Sequence, residues 1–247
     1  SNYAQITNCY NIGSVSGSEK TGGISGINGY MDGKTGSITN CYNTGIVNGS
    51  EKTGGICGTV DKGTVTDCYY LENCNADETT FSCKEGTLKT SEQFANGEVA
   101  NLLQKEQETA VWGQKIGTDS LPVLNGENRV YKVTAYSSVG NEIISEIYTN
   151  NSVTLTAPVK EGYNFDGWYT YDESTEKLLC SSREYSFDAT KDIGVIAVYK
   201  SLGTASITIN CDREYTLNGV SKSSATTESY SIGSTVTLSC NDEDFAY

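Results

Sequence analysis

Over the first seventy residues apolar positions come in runs too short for anything but a strand, and glycines break them at regular intervals. Ile6-Thr7-Asn8-Cys9-Tyr10-Asn11, Val15 and Gly23-Ile24 mark the candidate strands, with corners at Gly13, Gly17 and Gly22-Gly23. The pattern then returns as Ile38-Thr39-Asn40-Cys41-Tyr42-Asn43, Val47 and Gly55-Ile56, with corners at Gly45, Gly49 and Gly54-Gly55. Between 6–26 and 38–58 only four positions differ, namely Ile12/Thr44, Ser14/Ile46, Ser16/Asn48 and Ser25/Cys57. A period of 32 residues, from Ile6 to Ile38, predicts stacked units, each leaving an apolar face for its neighbour to cover. Three short strands and three corners per unit predict one coil of a β-helix. A shorter copy, Gly63-Thr64-Val65-Thr66-Asp67-Cys68-Tyr69, follows after 27 residues, from Cys41 to Cys68, so the loop 28–35 has been trimmed from it. After Tyr69 the pattern stops.

The direction of the side chains has two solutions. Strict alternation from an inward Ile6 sends Asn8, Tyr10 and Ile12 inward and Cys9 outward, whereas a bend at Asn8 reverses the cysteine and the tyrosine. One column therefore faces out: Cys9, Cys41 and Cys68, or Tyr10, Tyr42 and Tyr69. Cysteine is more often a small buried hydrophobe than a reactive group, so the inward cysteine is preferred. Outward Tyr10, Tyr42 and Tyr69 would be a candidate ligand-binding row on which sugar rings could stack.

The period changes after 87. Ser91 before Glu92 and Gln93 reads as an N-cap, and Phe94, Val99, Leu102 and Leu103 recur at near-helical spacing, interrupted by Gly97. One kinked helix or two short ones are expected, placed as a cap over the open end of the solenoid. Strict alternation begins beyond the turn-rich 125–128. Tyr131, Val133 and Ala135 alternate with Lys132, Thr134 and Tyr136, and Val153, Leu155 and Ala157 alternate with Ser152, Thr154 and Thr156. In the last segment Ile207, Ile209 and Cys211 share one face, and Val236, Leu238 and Cys240 another. Cys211–Cys240 is the best disulfide candidate, with two separate core thiols as the alternative; on the chain-entropy account such a loop stabilises by about 3 kcal/mol.

Composition narrows the chemistry. Twenty-six Gly and seventeen Tyr with two Pro support an all-β chain. Seventeen Lys and Arg against thirty-one Asp and Glu give a net charge of -14, which opposes nucleic acid and anionic membranes as partners. No run is long and apolar enough to cross a bilayer, so no membrane insertion is expected. No secretion signal stands at the front and the first residues already enter a repeat, so the chain reads as an excised fragment of an exported precursor. With no histidine there is no Ser-His or Cys-His nucleophile and no imidazole site. The nine cysteines fit no zinc spacing, and neither metal nor cofactor is expected. Glu19, Asp32, Glu51, Asp61 and Asp67 are the acids of the repeats, and a carboxylate pair for sugar cleavage must be weighed; Glu19 and Glu51, however, obey the repeat, whereas a catalytic pair usually breaks it. Asp172-Glu173, Asp242-Glu243-Asp244 and Asp61 are loop carboxylates outside any calcium-loop spacing and read as solvated turns.

Two resemblances add to this reading. Gly22–Gly26 and Gly54–Gly58, each a Gly-Gly-Ile-x-Gly box paired with Cys-Tyr-Asn-x-Gly, resemble the GLUG motif of bacterial surface proteins over about 6–70. Gly162-Tyr163-Asn164-Phe165-Asp166-Gly167-Trp168-Tyr169, with Ile193-Gly194-Val195-Ile196-Ala197-Val198-Tyr199 behind it, resembles the Listeria–Bacteroides, internalin-B-type B repeat over about 130–200. The latter implies a β-grasp-like module in which Trp168 is a core anchor. The sequence departs from the repeat at a weak glycine pair, Val139-Gly140, and at Tyr199 in place of a tryptophan, so binding by particular members does not carry over. The expected layout is a mainly β chain: a GLUG-type solenoid at 1–86, a helical cap and linker at 87–128, a β-grasp-like repeat at 129–200 and a partial, β-sandwich-like module at 201–247. The expected role is a non-catalytic stalk or adhesive segment at a bacterial surface or secreted from the cell. The alternatives are a module binding a host glycan or host protein, and a fragment of a polysaccharide-degrading enzyme. The pattern specifies no oligomeric state.

Overall fold

A computed structural model describes residues 4–75, 80–105, 107–171, 177–211 and 213–240. The chain is mainly β, 52% strand and 5% helix, in many small sheets with no closed barrel among the described residues. It divides into two compact units: Ser1–Val133 with Ile147–Val153 and Asp188–Ile193, and Thr134–Glu146 with Thr154–Phe187 and Gly194–Tyr247.

In the first unit the strands run β1 (Gln5–Thr7), β2 (Tyr10–Asn11), β3 (Val15–Gly22), β4 (Ser25–Asn28), β5 (Tyr30–Met31), β6 (Lys34–Thr35), β7 (Ser37–Thr39), β8 (Tyr42–Asn43), β9 (Val47–Gly54), β10 (Cys57–Val60), β11 (Thr64–Thr66), β12 (Tyr69–Leu71), β13 (Phe81–Cys83) and β14 (Thr87–Lys89). Apart from the antiparallel pair β5 and β6, they stack in parallel as a solenoid, with the copied strands in register. Ile6 pairs with Ile38 and Ile38 with Val65 in β1-β7-β11, and Tyr10 with Tyr42 and Tyr42 with Tyr69 in β2-β8-β12. Glu19 stands beside Glu51 in β3-β9. Asn11 Nδ2 donates to Asn43 Oδ1 at 2.8 Å, so an amide ladder ties the first two coils. The loop trimmed from the third copy is the hairpin β5-β6, turned by Asp32 and Gly33, both at positive φ as a tight two-residue connection requires.

Stacking runs further than the sequence repeat. β13 pairs with β9 and β14 with β12, although neither strand copies the residues of its partner. The copied residues stop after Tyr69 while the ladder goes on, because a parallel ladder is made by backbone groups that every residue carries.

The glycine box is a close-packing device. A Cβ on Gly22 would lie 2.3 Å from Ser25 O, 2.6 Å from Cys57 Cα and 2.6 Å from Gly58 N, all backbone atoms. On Gly55 it would lie 2.3 Å from Tyr70 Cγ. Gly22→Ala is therefore expected to lower the stability of the first unit by about 1–3 kcal/mol, read as a drop in urea midpoint. Gly13→Ala, whose Cβ would find its nearest neighbour at 3.8 Å, should leave the midpoint almost unchanged.

Two short helices follow, α1 (Ser91–Ala95) and α2 (Glu98–Gln104). The cap lies one residue earlier than expected: Thr90, not Ser91, accepts from Gln93 N, and the Gln93 side chain accepts from Thr90 N in return. Gly97 breaks the two helices at φ 95°. Lys89 pairs with Glu98, and Gln93 Nε2 donates to both Glu98 oxygens at 3.1 Å, which ties β14 to both helices. The helices do not close the solenoid end as expected. They lie on its flank, where Phe94, Val99 and Leu103 join Trp112, Tyr42 and Tyr69 in one buried cluster.

The alternating strands fall mainly in the second unit. β15 (Tyr131–Ser137), β16 (Ile143–Thr149), β18 (Tyr163–Thr170), β19 (Leu178–Cys180) and β21 (Ile193–Ser201) form a sheet ordered β16-β15-β21-β18-β19, and β17 (Ser152–Thr156) pairs with β20 (Glu184–Asp188). Trp168 is fully buried and its Nε1 donates to Arg183 O at 3.1 Å. Phe165 meets Trp168 and Tyr199 edge-on at 6.1 and 5.6 Å between ring centroids. Asp166 lies in a bulge between Phe165 and Gly167, where it accepts from Tyr169 Oη at 2.8 Å and pairs with Lys200 at 2.6 Å. The described residues between 129 and 200 are strands, turns and loops only.

The last segment forms two small sheets. β22 (Thr204–Ile209) pairs with β25 (Thr226–Ser231), and β23 (Tyr215–Leu217) pairs with β24 (Val220–Lys222) and β26 (Leu238–Cys240). The apolar faces expected to be covered are open: Ile207 and Leu238 are exposed, and Tyr215 and Leu217 are the buried pair.

Candidate functional site

The backbone decides between the two side-chain solutions at one residue per coil. Asn8, Asn40 and Asp67 adopt φ of 53°, 52° and 49°. Asn and Asp tolerate this left-handed region better than other side chains, and the bend resets the alternation. Ile38, Cys41 and Cys68 then share the solenoid core with Ile56, Cys57, Tyr70 and Cys74, while Tyr10, Tyr42 and Tyr69 turn outward. The preferred inward cysteine therefore holds for the two inner coils, and Cys9 of the first coil remains exposed.

The ligand-binding row expected at Tyr10, Tyr42 and Tyr69 is corrected by what lies on it. Tyr42 is 1% and Tyr69 6% exposed, both covered by the α1-α2 segment and Trp112, and Tyr10 alone remains open at 44%. Tyr10 and Tyr42 stack at 5.3 Å and 11°, and Trp112 sits 5.6 Å from Tyr42. The Tyr42 hydroxyl donates to Pro122 O at 2.8 Å. Burial holds the Tyr42 phenol well above its ordinary range and pushes Tyr69 up to about 12. The outward column is a docking face for the helices and not a platform for sugar.

Cys211, which follows β22, and Cys240, which ends β26, are free thiols in this structure, and their strands pair with β25 and β23. Inside the solenoid, burial pushes Cys57 and Cys74 up to about 11, which keeps them protonated and unreactive at neutral pH. Glu19 and Glu51 are exposed on β3 and β9, and Asp32, Asp61 and Asp67 lie on exposed turns and bends. Among the described residues no three acids, cysteines or histidines are grouped to hold a metal ion. Asp172-Glu173 and Asp242-Glu243-Asp244 lie outside the described residues.

One open aromatic feature was not anticipated. Tyr136 on β15 and Tyr171 after β18 stack at 4.2 Å and 19°, flanking Gly194 of β21. A Cβ on Gly194 would press on both, at 3.2 Å from Tyr171 Cβ and 3.4 Å from Tyr136 Cε2. Tyr171 N donates to Gly194 O at 3.2 Å, and the ring is 47% exposed. The available signal was Tyr136 on the polar side of its strand together with Gly194 inside an apolar one. Within the first unit a shallow cavity of about 530 Å³ is lined by Thr44, Leu71, Phe94 and Leu121 beside the covered tyrosines.

Residues 131–197 match the Listeria-Bacteroides repeat domain. The Listeria-Bacteroides repeat is found in bacterial surface proteins, and in this chain its tryptophan and phenylalanine are structural. No curated protein and no solved structure matches the chain. No described helix is long and apolar enough to cross a membrane.

Proposed function

We propose that this chain is a non-catalytic stalk or adhesive spacer of a bacterial surface or secreted protein, with a GLUG-like solenoid preceding the Listeria-Bacteroides repeat. The observation that carries this reading is that residues shared between the copies are spent on stacking: the asparagines on an inter-coil ladder, the glycines on close approach, the tyrosines on holding the helices. A repeat kept for a ligand would hold some of its equivalent residues open and unspent. Incubation with uronate polymers should give no unsaturated products and no new reducing ends. Turnover that persists through purification would replace the stalk by the polysaccharide-degrading reading.

Binding of a host glycan or host protein is the second reading, and Tyr136 with Tyr171 favours it, since an open stacked pair offers a ring face to a sugar. On a glycan array the spacer reading expects no signal at high micromolar chain. A signal reduced at least tenfold by Tyr171→Ala would establish the binding reading instead and place the site on the Listeria-Bacteroides repeat.

A further inference from the structure

The cysteine column of the solenoid is a cluster of nucleophiles that neither stacking nor the proposed role explains. Cys9, Cys41 and Cys68 each follow the left-handed residue of their coil, and their thiols adopt the same local arrangement. Cys9 Sγ donates to Thr7 O at 3.3 Å, Cys41 Sγ to Thr39 O at 3.2 Å and Cys68 Sγ to Thr66 O at 3.1 Å. The flanking residues are in register, Thr7 with Thr39 and Thr66, and Tyr10 with Tyr42 and Tyr69. Neighbouring cysteines therefore lie about one strand spacing apart, roughly 4.8 Å, within the roughly 4.4–6.8 Å between Cα atoms that a disulfide spans. The Cys9 amide already donates to Cys41 Sγ at 3.4 Å.

Access is graded along the column. Cys9 is exposed, whereas Cys41 and Cys68 are buried. Freedom to move is graded in the same direction. Among the described residues β2 pairs on one side only, while β8 lies between β2 and β12, and β12 between β8 and β14. The movement that brings two Cβ atoms from about one strand spacing to the roughly 3.5–4.5 Å of a disulfide therefore falls most easily on Cys9. The Cys68 thiol and the Cys9 backbone amide hold Cys41 below the ordinary thiol range against the opposing effect of burial, whereas burial and the neighbouring Cys41 raise Cys9, so access and not acidity singles out Cys9 for the first attack.

We propose that Cys9 and Cys41 form the oxidation site of the first unit, joined as a disulfide between adjacent coils by exchange with a small-molecule disulfide. In the first step the Cys9 thiolate attacks one sulfur of the small disulfide; that S–S bond breaks, a mixed disulfide forms on Cys9, and one small thiolate leaves and takes up a proton. In the second step the Cys41 thiolate attacks Cys9 Sγ; the mixed bond breaks and the second small thiol leaves. Two protein thiols have then lost two electrons and two protons, and one small disulfide has become two thiols. The bridge closes the coil from Cys9 to Cys41 into a covalent ring and fastens the first coil, which among the described residues pairs on one side only.

The test is incubation of the reduced whole chain with glutathione disulfide, followed by acid quench, alkylation, digestion without reduction and tandem mass spectrometry. The expected product is a cross-linked peptide pair joining Cys9 to Cys41 in most molecules, abolished by Cys9→Ser. In Cys41→Ser, Cys9 should instead accumulate as the glutathione mixed disulfide. Cys9→Ser changes an exposed position, so the test stands even if Cys41→Ser fails to fold. A bridge between Cys41 and Cys68, or Cys9 persisting as mixed disulfide in the unaltered chain, overturns the proposal.

Discussion

Phe94→Ala is expected to destabilise the first unit by about 3–5 kcal/mol, the usual cost of emptying a buried aromatic site. Phe94 is 1% exposed and its ring lies 5.6 Å from that of Tyr42, inside the cluster that joins the helices to the solenoid flank. Trp112 belongs to the same cluster, so its fluorescence reports the loss as a lower urea midpoint. Phe94→Leu should recover much of the difference, because it refills most of the volume. An unchanged midpoint in Phe94→Ala would mean that the helices are not held on the tyrosine column. Tyr42 and Tyr69 would then return as candidates for binding.

Trp168→Ala is expected to cost about as much, 3–5 kcal/mol, and to act on the Listeria-Bacteroides repeat. The indole is fully buried, bonds Arg183 O and meets Phe165 edge-on, so its removal leaves a cavity and takes one of two donors from that carbonyl, which keeps its bond from Ala157 N at 2.9 Å. Hydrogen exchange read by mass spectrometry should show loss of protection in peptides covering β18 and β21, which pair from Tyr163 with Ser201 to Thr170 with Val195. Trp168→Phe should retain part of that protection. Full protection in Trp168→Ala would refute the anchoring role.

Much of the architecture was legible before any coordinates. The repeat of Ile6 at Ile38 and of Tyr10 at Tyr42 became the observed ladder, because a stacked coil brings like positions together. Gly97 was readable as a break between helices, and it is one. The cap was misplaced by one residue because Thr90 and Ser91 both offer a hydroxyl, and only the reciprocal bond from Gln93 distinguishes them. β13 and β14 were invisible as repeat members, since backbone pairing leaves no trace in side-chain identity.

The candidate site was less legible, and for one reason. Alternation states that a residue leaves one face of a strand, but not what covers the other face. Tyr42 was correctly an outward residue, yet its hydroxyl bonds Pro122, 80 positions along the chain. Ile207, Ile209, Cys211 and Cys240 read as covered by the same local rule; Ile207 and Cys240 stand exposed, Ile209 and Cys211 only half-buried.

By itself, the sequence determined the period of the coils, the positions of the bends and the aromatic anchor of the Listeria-Bacteroides repeat, because these depend on neighbouring residues and on a repeated spacing. Only the tertiary structure decided which outward faces stay open, which thiols stack within reach of one another and where the helices dock. Those outcomes are set by contacts between segments far apart in the chain, whose energy depends on what each surface meets and not on its own pattern.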